Sequence, residues 1–280
     1  MIFHNGKNDK ENIGLFRVSR THQLLIRQAR ARLGKKQIWI SSMPKSGTTT
    51  MYKRLLRLSG FKEAQYTRFK TDSEQDLDDQ QIGYEIRKNL TSSLISTSHT
   101  KFNWKTFDCM YKYNLKPIIL FRNLRDCLVS IVDHWERTTV MPFCHMTDTD
   151  LKLLKLKSDF SPLAAATTLV GPWYLHFYLS WERFRKELAD DIPDKIKPIF
   201  IDFNSFIGHE NEKLPILLED LGLKSKNYCL ETLLQTKGNM NVGKKGRGVA
   251  SFKNDIMATK ALNNLLSCYP QENFELLMDT

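Results

Sequence analysis

A chain of 280 residues can bury a large core, and its 41% hydrophobic and 26% charged residues leave little room for disorder beyond the first dozen residues and the tail. The 42 Lys and Arg exceed the 31 Asp and Glu by a formal +11, which points to an anionic ligand, a nucleic acid or an acidic surface, with a solvated basic surface as the plain alternative. Five cysteines, at positions 109, 127, 144, 229 and 268, form no CxxC pair, which argues against a disulfide framework or a zinc site and for a reducing, cytoplasmic setting.

The opening MIFHNGKNDKENIG lacks the apolar core of a signal peptide or anchor, and residues 1–15 are expected to be flexible. Residues 20–33 have helical apolar spacing, with Gly34 as the stop. The run IWISSMPKSGTTTMYKRLLRLSG (38–60) predicts a strand at 38–41, a loop through Pro44, Lys45, Ser46 and Gly47, and a helix over 48–58 closed by Gly60. The acidic stretch 71–82 reads as a surface loop or the start of a solvated helix. Beyond it come the strand SSLISTS (92–98) ending at His99, a helix over 104–113, the strand KPIILF (116–121) and a helix from Asp126 to about Arg137.

Residues 138–170 show the least regularity. The segment 160–181, FSPLAAATTLVGPWYLHFYLSW, carries no acid, Lys or Arg, but Gly171-Pro172 divides it, so the expectation is a loop followed by a buried helix over 173–188 and no membrane span. A strand KPIFIDF (197–203), a helix at about 211–221 and the glycine- and lysine-rich KGNMNVGKKGRGVASFKND (237–255) complete the chain. Strands alternating with helices predict an α/β fold: a P-loop-like three-layer α/β/α arrangement with a central, largely parallel sheet, in a single domain over 1–280. Ligands of such sheets bind beyond the carboxyl ends of the strands, where the 44–49 loop, His99, Arg122 and Phe203 would emerge together.

A glycine turn before a helix exposes N–H groups that the first helical turn cannot satisfy, and the helix dipole adds positive character there. In PKSGTT, Gly47 gives backbone freedom, Thr48 and Thr49 offer hydroxyls, and Lys45 is a point cation. Because the lysine precedes the glycine by two residues, the loop is not a Walker A motif, which places its lysine after the glycine. A strand followed by Arg122 and, eight residues on, by Ser130 supplies a guanidinium and a hydroxyl suited to a phosphate dianion.

These two segments, PKSGTT and PIILFRNLRDCLVS, resemble the 5′-phosphosulfate loop and the 3′-phosphate segment of the cytosolic-type sulfotransferases, which move a sulfuryl group from 3′-phosphoadenosine 5′-phosphosulfate (PAPS) to a hydroxyl or amine. The resemblance runs loosely over residues 36–256, is sharp in these two motifs, and is nearer to bacterial-type soluble members than to membrane-anchored ones. It implies PAPS as donor and 3′-phosphoadenosine 5′-phosphate (PAP) as product, with Lys45, Ser46, Gly47, Thr48 and Thr49 on the 5′ side and Arg122 and Ser130 on the 3′ side. A third segment, VGKKGRGVASFKN, resembles the family's Arg-Lys-Gly-x-x-Gly-Asp-Trp-Lys-Asn. Aligned on Phe252-Lys253-Asn254, Lys245 takes the arginine place and Arg247 the glycine place; one inserted residue instead sets Lys244, Lys245 and Gly246 on Arg-Lys-Gly.

The family's base is a histidine in a Lys-Thr-His run, and His99 in Thr97-Ser98-His99 occupies that place, with a pKa suited to accepting a proton near neutrality. Thr50 stands where the family often has an adenine-stacking tryptophan, and Phe203 aligns with an adenine-side tyrosine. The family's dimer segment is matched only by its lysine in KNDIMATKAL. The resemblance implies a small-molecule, carbohydrate or lipid acceptor, met by residues 61–90 and 138–170, and no metal. Three alternatives stand beside it: a P-loop kinase using Asp202 for magnesium; a basic nucleic-acid-binding protein, for which no binding motif is seen and no nucleic-acid partner is expected; and a protein that binds PAPS or its product without turnover.

Overall fold

The computed structural model describes residues 25, 28–30, 32–57, 61–68, 76–138, 160–188, 191–223 and 246–278. In chain order the elements are β1 (Gln37–Ser42), α1 (Thr48–Leu56), β2 (Phe61–Glu63), α2 (Asp79–Lys88), β3 (Ser93–Ser98), α3 (Trp104–Tyr113), β4 (Leu115–Phe121), α4 (Leu124–Thr138), α5 (Pro162–Leu169), α6 (Gly171–Glu187), β5 (Ile199–Asp202), α7 (Phe203–Phe206), α8 (Glu210–Asp220), α9 (Arg247–Lys253), α10 (Ile256–Ser267) and α11 (Glu275–Met278). The expectations on residues 1–15, Gly60, 71–75, 139–159 and 224–245, with Lys244, Lys245, Cys144 and Cys229 among them, lie outside the described residues.

The strands form one five-stranded sheet in the order β2-β3-β1-β4-β5, and every pair is parallel. Strand β1 is buried along its whole length, as a central strand covered on both faces must be. Its side chains alternate between the two layers. Ile38 and Ile40 join Ile118, Leu120 and Ile201 under Met51 and Leu55 of α1 and Leu214, Leu217 and Leu218 of α8. Trp39 faces the other way, with Ile119 and Phe121, into the larger core built by α3, α4, α5, α6 and α10. This is the three-layer α/β/α arrangement.

The chain leaves β1 for β2 and β3 on one side and returns past it to β4 and β5 on the other, so the carboxyl end of β1 is a topological switch point, the place where ligands of such sheets bind. Ser41 pairs with both Ser98 and Ile119, and Phe121 with Asp202. The residues that follow these positions therefore leave the sheet side by side.

Several elements differ from expectation for local reasons. Gly171-Pro172 divides the apolar run as expected, but between two helices: it opens α6, where the first-turn proline loses no intrahelical bond. Residues 162–169, expected to be irregular, form α5, whose Ser161 cap accepts from Ala164 N at 2.9 Å and whose apolar surface turns into the larger core. The strand expected over 197–203 stops at Asp202, whose carboxylate accepts from Asn204 N (3.0 Å) and Ser205 N (3.1 Å) and turns Phe203 into the first residue of α7. The acidic run ends in a helix, α2, capped by Asp78. Among the described residues no helix is long and apolar enough to cross a membrane.

Candidate active site

The loop between β1 and α1 is held from three sides. Ser46 is fully buried and its hydroxyl donates to Met43 O at 2.6 Å and to Leu120 O at 3.3 Å, tying the loop to the end of β4. The phenol of Tyr174, buried in α6, donates to Pro44 O at 2.9 Å; burial pushes its pKa well above the ordinary value, so it remains a donor. Lys45 O accepts from Arg122 Nη1 at 3.3 Å. Lys45 and Gly47 both have left-handed backbone, with φ 63° and 89°. For Gly47 that conformation is free of strain, and any side chain there would force the Phe203 ring aside, since a Cβ would lie 2.0 Å from it. Gly47 offers no side-chain acceptor to the first-turn amides of α1, which leaves that helix start suited to an anion. Thr48 is half-buried and Thr49 exposed.

His99 follows β3 and meets the loop directly. Its Nδ1 lies 2.8 Å from Ser42 O and 3.3 Å from Ser42 Oγ. A carbonyl only accepts, so Nδ1 carries the proton and the neutral ring has its lone pair on Nε2. Ser42 Oγ also lies 2.6 Å from Thr48 Oγ1, linking the histidine to the first residue of α1. The residues flanking His99 are fixed in the core. Ser98 Oγ accepts from Trp39 Nε1 at 2.8 Å, and Thr100 O accepts from Ser41 Oγ (2.6 Å) and Trp181 Nε1 (3.1 Å).

Arg122, 8% exposed, leaves β4 beneath the same edge. Its Nε donates to Asn204 Oδ1 (3.1 Å), Nη1 to Lys45 O and Nη2 to Asp126 Oδ2 (3.3 Å), while the guanidinium carbon sits 6.0 Å from the Phe203 ring centre. Three of its five N–H groups are engaged by these oxygens, which leaves two for an anion. Asp126 in turn accepts from Gly248 N at 2.7 Å and Gly246 N at 3.4 Å, drawing the start of α9 onto α4. Ser130 lies half-buried one turn beyond Asp126 on the same helix face.

The structure thus brings together the 44–48 loop, His99, Arg122 and Phe203, with Gly246 joined through Asp126. It does not bring Arg247 to them: that side chain pairs with Asp133 on α4 at 2.5 Å. Asp202, offered above for magnesium, has both carboxylate oxygens on the amides of α7. Among the described residues no group of three or more His, Cys, Asp or Glu is placed to hold a metal. Sequence reasoning missed Ser42, Asp126, Asn204 and Tyr174, which support the site from within the core. For Asp126 a signal existed, since it lies four residues after Arg122 in a helix start, the spacing of an ion pair.

A family model described as a sulfotransferase domain matches residues 35–189, more than half of the chain and all of the loop, His99 and Arg122. Mouse sulfotransferase SULT7A1, solved in complex with PAP, is similar in fold, with a TM-score of 0.54 at 16% identity over 89% of this chain and 91% of that one. The sulfotransferase domain from the curacin biosynthetic pathway aligns with a TM-score of 0.45 at 15% identity, over 85% of this chain and 98% of that one. No curated protein matches the chain in sequence. With the family model spanning most of the sheet and the motif-bearing edge, the chain belongs to the sulfotransferase family.

Proposed function

We propose that this chain transfers a sulfuryl group from PAPS to a hydroxyl or amine of a small-molecule, carbohydrate or lipid acceptor. The observation that carries the donor assignment is the bond from Arg122 Nη1 to Lys45 O, which ties a guanidinium to the phosphate loop that the resemblance assigns to the other end of the same donor. Lys45 and the amides at the start of α1 hold the 5′-phosphosulfate, and Arg122 with Ser130 and the Lys244-Lys245-Gly246 segment holds the 3′-phosphate, Arg247 being engaged by Asp133 instead. Charge-assisted bonds of this kind are about twice as strong as neutral ones. Phe203, packed over Gly47 and beside Arg122, provides an aromatic wall for adenine.

In the reaction His99 Nε2 takes the proton of the acceptor as its oxygen or nitrogen bonds to sulfur, and the bond from sulfur to the bridging phosphate oxygen breaks with its electron pair leaving on PAP. Ser42 O holds the opposite ring nitrogen and so fixes both the tautomer and the ring plane. Lys45 and the loop amides stabilise the charge that grows on the departing phosphate, a stabilisation that depends on donors already in place. The reducing, cytoplasmic setting proposed for it rests on the scattered spacing of its five cysteines.

Calorimetry of PAP, AMP and ATP–magnesium against the parent and Arg122→Ala tests the donor assignment. Binding of PAP well above the other two, lost in the variant, is the expected result. A preference for ATP–magnesium, or equal weak binding of all three, returns the loop to the kinase reading or to an ordinary strand-to-helix turn.

A further inference from the structure

Asp126 is buried to 3% exposure in the first turn of α4, yet it is an acid beside the guanidinium that is expected to receive a phosphate dianion. On charge alone it opposes the ligand. Its bonds point to another task. One oxygen accepts from Gly248 N at 2.7 Å; the other accepts from Gly246 N at 3.4 Å and from Arg122 Nη2 at 3.3 Å. The approach of α9 to α4 is close enough that a Cβ on Gly248 would lie 2.5 Å from both Arg125 C and Asp126 N, so the backbone itself docks there. A helix start that presents N–H groups to a carboxylate is held by charge-assisted bonds and by the helix dipole together.

We infer that Asp126 is a positioning residue for the donor site: it seats the Gly246–Lys253 segment on α4 and orients Arg122, so that the second and third basic segments are assembled before the donor arrives. This rests on the PAPS reading above. It assigns the acid a sign opposite to its charge: removing the charge weakens donor binding, because the cations that grip the phosphate lose their placement. Asp126→Asn is the informative change. It is nearly isosteric, retains an acceptor for Gly248 N, and puts an amide donor against Arg122 Nη2 and Gly246 N.

The experiment is PAP calorimetry together with hydrogen exchange of residues 246–253 in the ligand-free parent and Asp126→Asn. The inference expects PAP to bind 10- to 100-fold more weakly in the variant, about 1.4 kcal/mol per tenfold, and amides 246–249 to exchange faster while the strands exchange as in the parent. Unchanged PAP binding in a folded variant overturns it, as does tighter binding, which would make Asp126 act by charge alone, and as does weaker binding with exchange at 246–249 unaltered, which would mean that Asp126 does not seat the segment. Should the parent itself fail to bind PAP, the donor reading falls, and the exchange comparison still decides whether Asp126 seats the segment. Arg247→Ala, which removes only the surface pair with Asp133, serves as the control for loosening α9 by other means; exchange at 246–249 as fast as in Asp126→Asn would also overturn the inference.

Discussion

Gly47 and Phe203 pack so tightly that their energetic coupling is measurable. A Cβ at Gly47 would lie 2.0, 2.2 and 2.4 Å from Cε2, Cζ and Cδ2 of Phe203. Carbon atoms rest at about 3.5–4.0 Å, so in Gly47→Ala the ring must withdraw by about 1.5 Å, away from Arg122 and its place beside the hydrophobic layer under α1 and α8. Overpacking of this kind costs about 1–3 kcal/mol. Gly47 also has φ 89°, and an L-residue held in left-handed backbone costs roughly a further 1–2 kcal/mol. The single variant should therefore lose about 2–5 kcal/mol, measured by urea denaturation. In Gly47→Ala/Phe203→Ala the steric part disappears and the backbone part stays, so the cycle should show a coupling of about 1–3 kcal/mol, with the double variant more stable than the sum of its singles. Additivity within about 0.5 kcal/mol would refute the packing of Phe203 on the loop, and with it the aromatic wall assigned to adenine.

Thiol reactivity should separate sharply among the described cysteines: burial pushes Cys109 and Cys127 up to about 12, whereas Cys268 is exposed, so iodoacetamide at neutral pH followed by mass spectrometry should modify Cys268 and spare the other two until the protein is unfolded. Rapid native labelling of Cys127, which lies behind Arg122, would contradict the buried floor of the site. Acid stability should report Glu210. Burial works to raise its pKa, but its own amide, the bond from Gly208 N at 2.7 Å and that from Arg54 at 3.2 Å outweigh this and hold it below the ordinary value. A carboxyl depressed in the folded state adds stability above its unfolded pKa of about 4.3 and loses it as pH falls through the folded value. Glu210→Gln should therefore lower Tm near neutrality and flatten its fall on acidification; parallel Tm curves for the two proteins would show that the bonds do not stabilise the anion.

The residues that meet the donor in the proposed function stand at places a sequence can mark, and those that support them do not. Strands β1 and β4 carry the short apolar runs IWI and PIILF, and β3 the pair Leu94-Ile95 among small hydroxyl residues, because all three are largely buried; the phosphate loop, His99 and Arg122 follow their ends, which is why they were legible as one edge. The supporting residues are polar groups sealed into the core, and their partners are remote in sequence. Tyr174 reaches Pro44 across 130 positions, Asn204 reaches Arg122 across 82, and Asp126 reaches Gly248 across 122. Nothing in local spacing distinguishes such a tyrosine or asparagine from any other, because their bonds exist only once α6, α7 and α9 have packed. The elements missed follow the same rule. Helix α5, PLAAATTL, has no polar face for periodicity to detect, and the three residues of β2 are defined by pairing with β3. Asp202 illustrates the converse: its run reads as a strand through Phe203, but two amides captured by its carboxylate end the strand one residue early and bring the aromatic ring over Gly47. Placement of the ring is thus decided by a capping bond, and a chain with alanine at 202 would keep the apolar pattern while losing the turn that aims Phe203 at the phosphate loop.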